Sequence, residues 1–173
     1  MEDPEPPSGH SNEHGIDLDI SIEAGDWSGF DDAEHLIRVA ARALAAHPEA
    51  LDLRGREACV VLADDATVQR LNANYRGKDA PTNVLSFPFT PPPGAAPEEA
   101  ARYLGDIILA AETLLREAVD LGIPPAHHLQ HLVVHGLLHL LGFDHMEDAE
   151  AETMEAIEVR ALADLGIANP YAS

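Results

Sequence analysis

Three histidines in one short segment carry the clearest chemical signal of this chain. They are His135, His139 and His145, and the segment that holds them reads HGLLHLLGFDH. Because His135 and His139 are four residues apart, a helix would place both on one face. Gly142 then breaks the helix, which lets the chain turn and bring His145 back towards the same point. Three converging neutral imidazoles are typical of a catalytic zinc site with one open position, so the pattern predicts one Zn²⁺ per chain.

The spacing of these histidines equals that of the metzincin proteases, with one difference. In those proteases a glutamate directly follows the first histidine and acts as the general base. Gly136 stands at that position here, so peptide hydrolysis by the usual route lacks its proton acceptor. A metalloprotease is therefore kept only as an alternative function.

Two further residues are predicted to support the three ligands without binding the metal. His131 extends the spacing of four residues upstream along the same helix. As a fourth ligand it would close the site, so we expect it to lie behind the ligands. Asp144 precedes His145 in the sequence and could orient an imidazole through a hydrogen bond.

A second polar segment is predicted to contact a substrate. It runs from Leu71 to Pro88 and contains Arg76 and Lys78. Both side chains could bind phosphate, the arginine through two parallel hydrogen bonds and the lysine as a point charge. The alternative is that they belong to an ordinary solvated turn.

The charge of the chain restricts its partners. The formal net charge is -21, and residues 1–37 contain eleven acids and no Lys or Arg. Because phosphate contacts need cations, such a protein is a poor generic binder of nucleic acid, and DNA is not an expected partner. A second acidic block runs from Glu147 to Glu158, and we expect most of the acidic side chains to lie on solvated helix faces.

The composition also predicts where the protein acts. No apolar run is long enough to span a bilayer, and the acidic N-terminus has none of the features of a targeting signal. Cys59 is the single cysteine, so an internal disulfide is excluded. These features predict a cytoplasmic protein without a membrane partner.

The pattern of apolar residues predicts one α+β domain over residues 16–168, preceded by a disordered acidic tail over residues 1–15. The predicted order is β-α-β-α-β-β-α-α-α, with a small mixed sheet of about four strands packed with about five helices. Residues 83–88 are predicted to form an edge strand, because Pro88 limits pairing. The zinc helix is metzincin-like and apolar nearly all round, so we expect it to be buried.

The histidine segment and the polar segment from Leu71 to Pro88 together resemble the YbeY family of bacterial endoribonucleases, also called rRNA maturation factors. The family signature His-Gly-x-Leu-His-Leu-x-Gly-Tyr-Asp-His is matched from His135 to His145, with Phe143 in place of the usual tyrosine. A second motif of the family is matched from Asn72 to Pro88, and a third, shorter one from Leu104 to Ile107. The resemblance covers about residues 16–166.

This resemblance implies a zinc-dependent single-strand endoribonuclease that acts in small-subunit rRNA 3′-end maturation and in ribosome quality control. It implies that His135, His139 and His145 bind the zinc and that Arg76 lines the site and holds the RNA phosphate. His135 and Arg76 are thus the predicted catalytic residues. The implied partners are rRNA, the small ribosomal subunit, a small-subunit ribosomal protein and the Era GTPase.

Two questions stay open on the sequence alone. The phosphate could be attacked by a water activated by the metal or by the 2′-OH of the substrate. The protein could also be a non-catalytic ribosome-assembly factor with a stabilising metal, because its net charge of -21 makes unaided RNA binding weak.

Overall fold

A four-stranded mixed sheet organises the described part of this chain, which in the computed structural model comprises residues 15–77, 82–143 and 147–172. The strand order is β1-β2-β4-β3; β1, β2 and β4 run parallel, and β3 pairs antiparallel with β4 at the edge. The predicted small mixed sheet and the edge position of the strand ending at Pro88 are therefore confirmed. The strands are β1 (Asp17–Ile22), β2 (Glu57–Ala63), β3 (Val84–Pro88) and β4 (Tyr103–Ala110).

Six α-helices surround the sheet within the described residues. The predicted order of elements is confirmed, with one short helix added between β3 and β4. That helix begins at Pro97, and proline suits a first helical position because its missing N–H would have no partner there. The helices are α1 (Ala33–Ala45), α2 (Asp65–Arg76), α3 (Pro97–Arg102), α4 (Ala111–Leu121), α5 (Pro125–Leu140) and α6 (Asp148–Ala163), with 3₁₀ segments at Ser28–Phe30 and Pro48–Leu53.

Local chemistry explains where helix α2 begins and ends. The side chain of Asp64 accepts a hydrogen bond from the backbone N–H of Thr67 at 2.9 Å, which satisfies one of the free donors of the first turn. Gly77 follows the last helical residue with a φ of 73°, a left-handed conformation that glycine adopts without strain. The helix thus begins directly after β2 and ends at Arg76, within the polar segment.

The main hydrophobic core lies between one face of the sheet and helices α1, α4, α5 and α6. Alternate residues of β2, such as Val60 and Leu62, face this core. Helix α2 covers part of the opposite face, over a smaller cluster that includes Leu85 and Ile108. Helix α5 packs against α1, α4, α6, β3 and β4. Its predicted burial is thus confirmed, and its histidines are held by a rigid element.

Two sequence-based expectations concern the N-terminal tail and membrane-spanning helices. The predicted acidic tail, residues 1–15, lies outside the described residues apart from Gly15. Among the residues that the structure describes, none of the helices combines the length and the apolar character needed to cross a membrane.

Candidate metal centre

Helix α5 brings two of the three predicted ligands together. The Nε2 atoms of His135 and His139 lie 3.1 Å apart, and both side chains are partly exposed. Two imidazole nitrogens that share a tetrahedral zinc ion at 2.0–2.1 Å are about 3.3 Å from each other. The two rings therefore present their nitrogens at a separation that suits a common ion.

The helix ends where the glycine pattern predicted. Leu140 is its last residue, and Gly142 has a φ of 101°. The backbone N–H of Gly142 donates to the carbonyl of His139 at 2.9 Å, and that of Phe143 donates to Leu138 at 3.0 Å. These bonds satisfy carbonyls of the last turn and reverse the chain. Asp144 and His145, the predicted supporting residue and third ligand, lie outside the described residues.

A buried carboxylate from α6 contacts His135 on the side of the ring away from His139. Glu158 is 0% exposed, and its Oε2 atom lies 2.5 Å from Nδ1 of His135. Because a carboxylate accepts and the ring N–H donates, this contact places the proton of a neutral His135 on Nδ1 and leaves the lone pair of Nε2 facing His139. Burial alone would raise the pKa of Glu158, but its interactions with His131, His135 and Tyr171 lower it to about 2.

His131 and Tyr171 engage the other oxygen of the same carboxylate. The Tyr171 hydroxyl donates to Oε1 of Glu158, and Nε2 of His131 lies 3.6 Å from that oxygen and 3.2 Å from the hydroxyl. Burial, together with the neighbouring Glu158 carboxylate, raises the pKa of Tyr171, so the hydroxyl stays a donor. His131 therefore lies on the side of His135 away from His139, next to Glu158 and Tyr171, and its supporting role stays a prediction.

A second set of atoms could also hold an ion. His131, His135 and Glu158 each offer one ligand atom, and these atoms lie within 4.8 Å of one another. However, the 2.5 Å contact means that Glu158 already occupies the hydrogen-bonding direction of His135 Nδ1. We therefore favour the Nε2 side of His135, where His139 lies, as the position for an ion.

Glu158 is the functional candidate that sequence reasoning missed. The acidic block from Glu147 to Glu158 was expected to lie on solvated faces, and for Glu158 this expectation is wrong. The signal was present, because Glu158 shares its helix face with the apolar residues Met154 and Ala161, four and three residues away. An acid among core positions of a helix indicates a buried partner for its charge.

Gly136 is held in a tight contact between α5 and the sheet. A Cβ atom at this position would lie 3.1 Å from Cδ1 of Ile107 and 3.2 Å from Oγ of Ser86. The backbone of helix α5 thus approaches β3 and β4 so closely that any side chain at this position would press against them. The structure has no space for a glutamate where the metzincin proteases carry their general base.

Introducing that glutamate should therefore damage the fold without creating a protease. We expect Gly136→Glu to lower the free energy of unfolding by about 3 kcal/mol or more, because it forces an overpacked and buried charge between helix and sheet. Ala126→Glu, a half-exposed position in the first turn of the same helix, is the matched control and should be nearly neutral. Urea unfolding and a casein digestion assay measure both effects; a stable Gly136→Glu variant that cleaves casein would contradict this account.

The predicted phosphate-binding residues are placed only in part. Arg76 is the last residue of α2, but its side chain lies outside the described part of the structure, as does all of Lys78. The neighbouring motif residue Asn83 donates from its amide to Glu117 at 3.0 Å, at the start of β3. That bond ties the polar segment to helix α4.

Comparisons with known proteins agree with this architecture. The profile of the family described as Endoribonuclease YbeY matches residues 22–166. A curated Endoribonuclease YbeY of Rhodopseudomonas palustris is 52% identical over 154 residues, which cover 89% of this chain and 91% of that protein. Another, from Parvibaculum lavamentivorans, is 50% identical over 166 residues, covering 93% of this chain and 88% of that one.

One solved structure shares the fold. The solution structure of TM1509 from Thermotoga maritima matches with a TM-score of 0.54 at 22% sequence identity, covering 90% of this chain and 96% of that one. This likeness supports the α+β architecture described above.

Proposed function

This chain belongs to the YbeY family of endoribonucleases, and we propose that it cleaves single-stranded RNA during 3′-end maturation of small-subunit rRNA, with zinc as its metal. We further propose that His135, His139 and His145 bind the metal and that Arg76 and Lys78 contact the RNA phosphates. The substrate class, the rRNA step and the role of Arg76 follow from the family, and the metal ligands are argued from the residues.

The single observation that carries the metal proposal is the pair of Nε2 atoms 3.1 Å apart on one buried helix. The donor set fits zinc, because neutral imidazole nitrogens are among its preferred ligands. Glu158 adds to the fit, since it fixes the ring of His135 with Nε2 directed towards His139. Zinc bound there would supply a Lewis acid for a phosphate oxygen and lower the pKa of a nearby water.

The residues of the chain then have separate tasks. His135 and His139 position the reaction at the end of helix α5, and Glu158 keeps the proton of His135 on Nδ1. Arg76 neutralises the charge that develops on the phosphate oxygens in the transition state. Because Gly136 stands where the metzincin proteases carry their general base, the proton of the attacking group goes to solvent or to another group of the complex. Either a water or the 2′-OH of the RNA serves as the nucleophile.

The charge of the protein bears on its partners. With a net charge of -21, the chain needs a local basic patch or a bound partner to hold RNA. We propose that the small ribosomal subunit, a small-subunit ribosomal protein and the Era GTPase provide this support in the cytoplasm. A supporting role of His131 and Asp144 around the ligands is part of the same proposal.

The proposal is tested by a digestion assay with two substrates. Purified protein is incubated with single-stranded RNA from the 3′ region of small-subunit rRNA and, separately, with casein, each with zinc and with a chelator. We expect zinc-dependent cleavage of the RNA alone. RNA that stays intact even with small subunits present would support the non-catalytic assembly factor, and casein cleavage would support the protease. A 2′,3′-cyclic phosphate on the product would identify the 2′-OH as nucleophile.

Arg76 offers a second test at the same site. We expect Arg76→Ala to lower kcat by about tenfold to a hundredfold, because one donor to the developing negative charge is lost. Arg76→Lys should restore part of the rate, since the charge returns without the paired geometry. Arg70→Ala, an exposed arginine of the same helix, should leave the rate unchanged. An equal loss of rate in Arg70→Ala and Arg76→Ala would show that the effect depends on the overall charge of the protein and not on the position of Arg76.

A further inference from the structure

We propose that four aromatic side chains on the α2 side of the sheet, opposite the main core, bind the bases of the RNA substrate by stacking. They form an aromatic strip that consists of Tyr75, Phe87, Phe89 and Tyr103. This inference rests on the proposed function, because it extends the binding site for the same RNA beyond the metal centre.

The aromatic strip contains a large share of the few aromatic residues of this chain. The sequence contains eight Phe, Tyr and Trp residues in all, and half of them lie here. Tyr75 contacts Phe87 edge to face with ring centroids 5.6 Å apart. Phe89 and Tyr103 form a second such pair at 5.2 Å. Phe87 and Phe89 are two residues apart on the edge strand and its continuation, so the two pairs lie on one side of the sheet.

Within each pair, one ring is exposed and the other supports it. Tyr75 is 71% exposed and Phe89 is 42% exposed, whereas Phe87 and Tyr103 are half-buried beneath them. The hydroxyl of Tyr103 donates to Asp106 on the same strand, which fixes its ring. Large apolar rings left in solvent on a supported platform are suited to stacking, because little side-chain freedom is lost on binding.

The edge strand connects this strip to the metal centre. Ser86 faces the opposite side of β3, where its Oγ lies near Gly136, the residue next to His135. Phe87 is the following residue and faces the strip, since successive strand side chains alternate between faces. An RNA strand that crosses the β3 edge could therefore have a phosphate at the histidines and its neighbouring bases on the rings.

Charge favours bases over phosphates on this face. Asp17 and Asp19 on β1 and Asp106 on β4 lie on the same side of the sheet and repel a polyanion. Stacking needs no cation, because every base has an aromatic face. One cation adjoins the strip in the sequence: Arg102 is exposed and directly precedes Tyr103. This arrangement fits single-stranded RNA whose bases turn inward and whose backbone follows the sheet edge.

The test is equilibrium binding of labelled single-stranded RNA, followed by fluorescence anisotropy with EDTA present so that cleavage does not interfere. Circular dichroism first establishes that the wild type and the variants keep their fold under these conditions. We expect Tyr75→Leu and Phe89→Leu each to weaken binding by about tenfold, within the range measured for single stacked bases. Tyr75→Phe, which keeps the ring, should bind like the wild type. Val119→Ala, an exposed apolar position on α4 that is 78% exposed, is the control and should also bind normally.

A second RNA of the same length with abasic positions separates stacking from charge. The leucine variants should bind this RNA as the wild type does. Wild-type affinity of the leucine variants for the base-bearing RNA would overturn the proposal, and so would an equal loss for both RNAs. Loss of a dimer in light scattering, without loss of RNA affinity, would assign the strip to a second copy of the chain. Because the assay measures binding alone, a wild type that binds but never cleaves RNA contradicts only the proposed function.

Discussion

Replacing His139 with alanine is expected to remove the bound metal and to reduce RNA cleavage by about a thousandfold or more. The variant loses one of the two nitrogens that lie 3.1 Å apart on α5. The rate falls because the electrostatic stabilisation supplied by a metal is worth several kcal/mol in the transition state. Metal content is measured by mass spectrometry on the purified protein, and activity with the rRNA fragment.

The matched control for this variant is His127→Ala on the same helix, two turns nearer its N-terminus than His135. It removes the same chemical group from a half-buried position and should keep both metal and activity. Undiminished cleavage by metal-free His139→Ala protein would exclude the metal mechanism. A purely stabilising ion would be favoured by two results together: the His139→Ala variant loses its metal and unfolds, and the wild type never cleaves RNA.

Removing the carboxylate of Glu158 is expected to have the second-largest effect. Glu158→Ala leaves the Nδ1–H of His135 and the hydroxyl of Tyr171 without their shared acceptor in a fully buried position. Breaking a buried pair from one side costs about 3–5 kcal/mol of unfolding free energy. Loss of such a support behind a metal ligand also lowers metal affinity by about 10- to 100-fold.

Two further variants separate these effects of Glu158. Glu158→Gln keeps the shape and one oxygen acceptor, so it should retain most of the stability while metal affinity still falls. Glu152→Ala, an exposed acid of the same helix, should change stability by no more than about 0.5 kcal/mol. Competition with a chromophoric chelator measures the affinity. Wild-type affinity in Glu158→Gln would show that the carboxylate has only a packing role.

The elements that carry strong local signals were predicted well. The end of the histidine helix was predicted from Gly142, and α5 ends at Leu140 with Gly142 in a left-handed conformation. The edge position of β3 followed from Pro88, which cannot donate to a second neighbour. Both predictions depended on local backbone chemistry, which a single sequence displays directly.

The parts of the site that depend on distant residues were not predictable in this way. Glu158 lies 23 residues after His135, and Tyr171 follows near the end of the chain. Their contacts arise only when α6 and the segment after it pack against α5. The burial of Glu158 is indicated by the helix face that it shares with apolar residues, but its partners on α5 and near the end of the chain are not. The role of Arg76 at the site came from resemblance to a family and that of His145 from the spacing of the histidines, and both stay predictions.

The location of His135 and His139 on the most enclosed helix couples metal binding to folding. Helix α5 touches three other helices and two strands, so it cannot loosen without loss of the main core. Any ion that prefers the folded arrangement of these rings therefore adds its binding free energy to the stability of the whole domain. Each tenfold rise in free metal above its dissociation constant adds about 1.4 kcal/mol. The concentration of free metal would thus affect the lifetime of the folded protein as well as its catalytic rate.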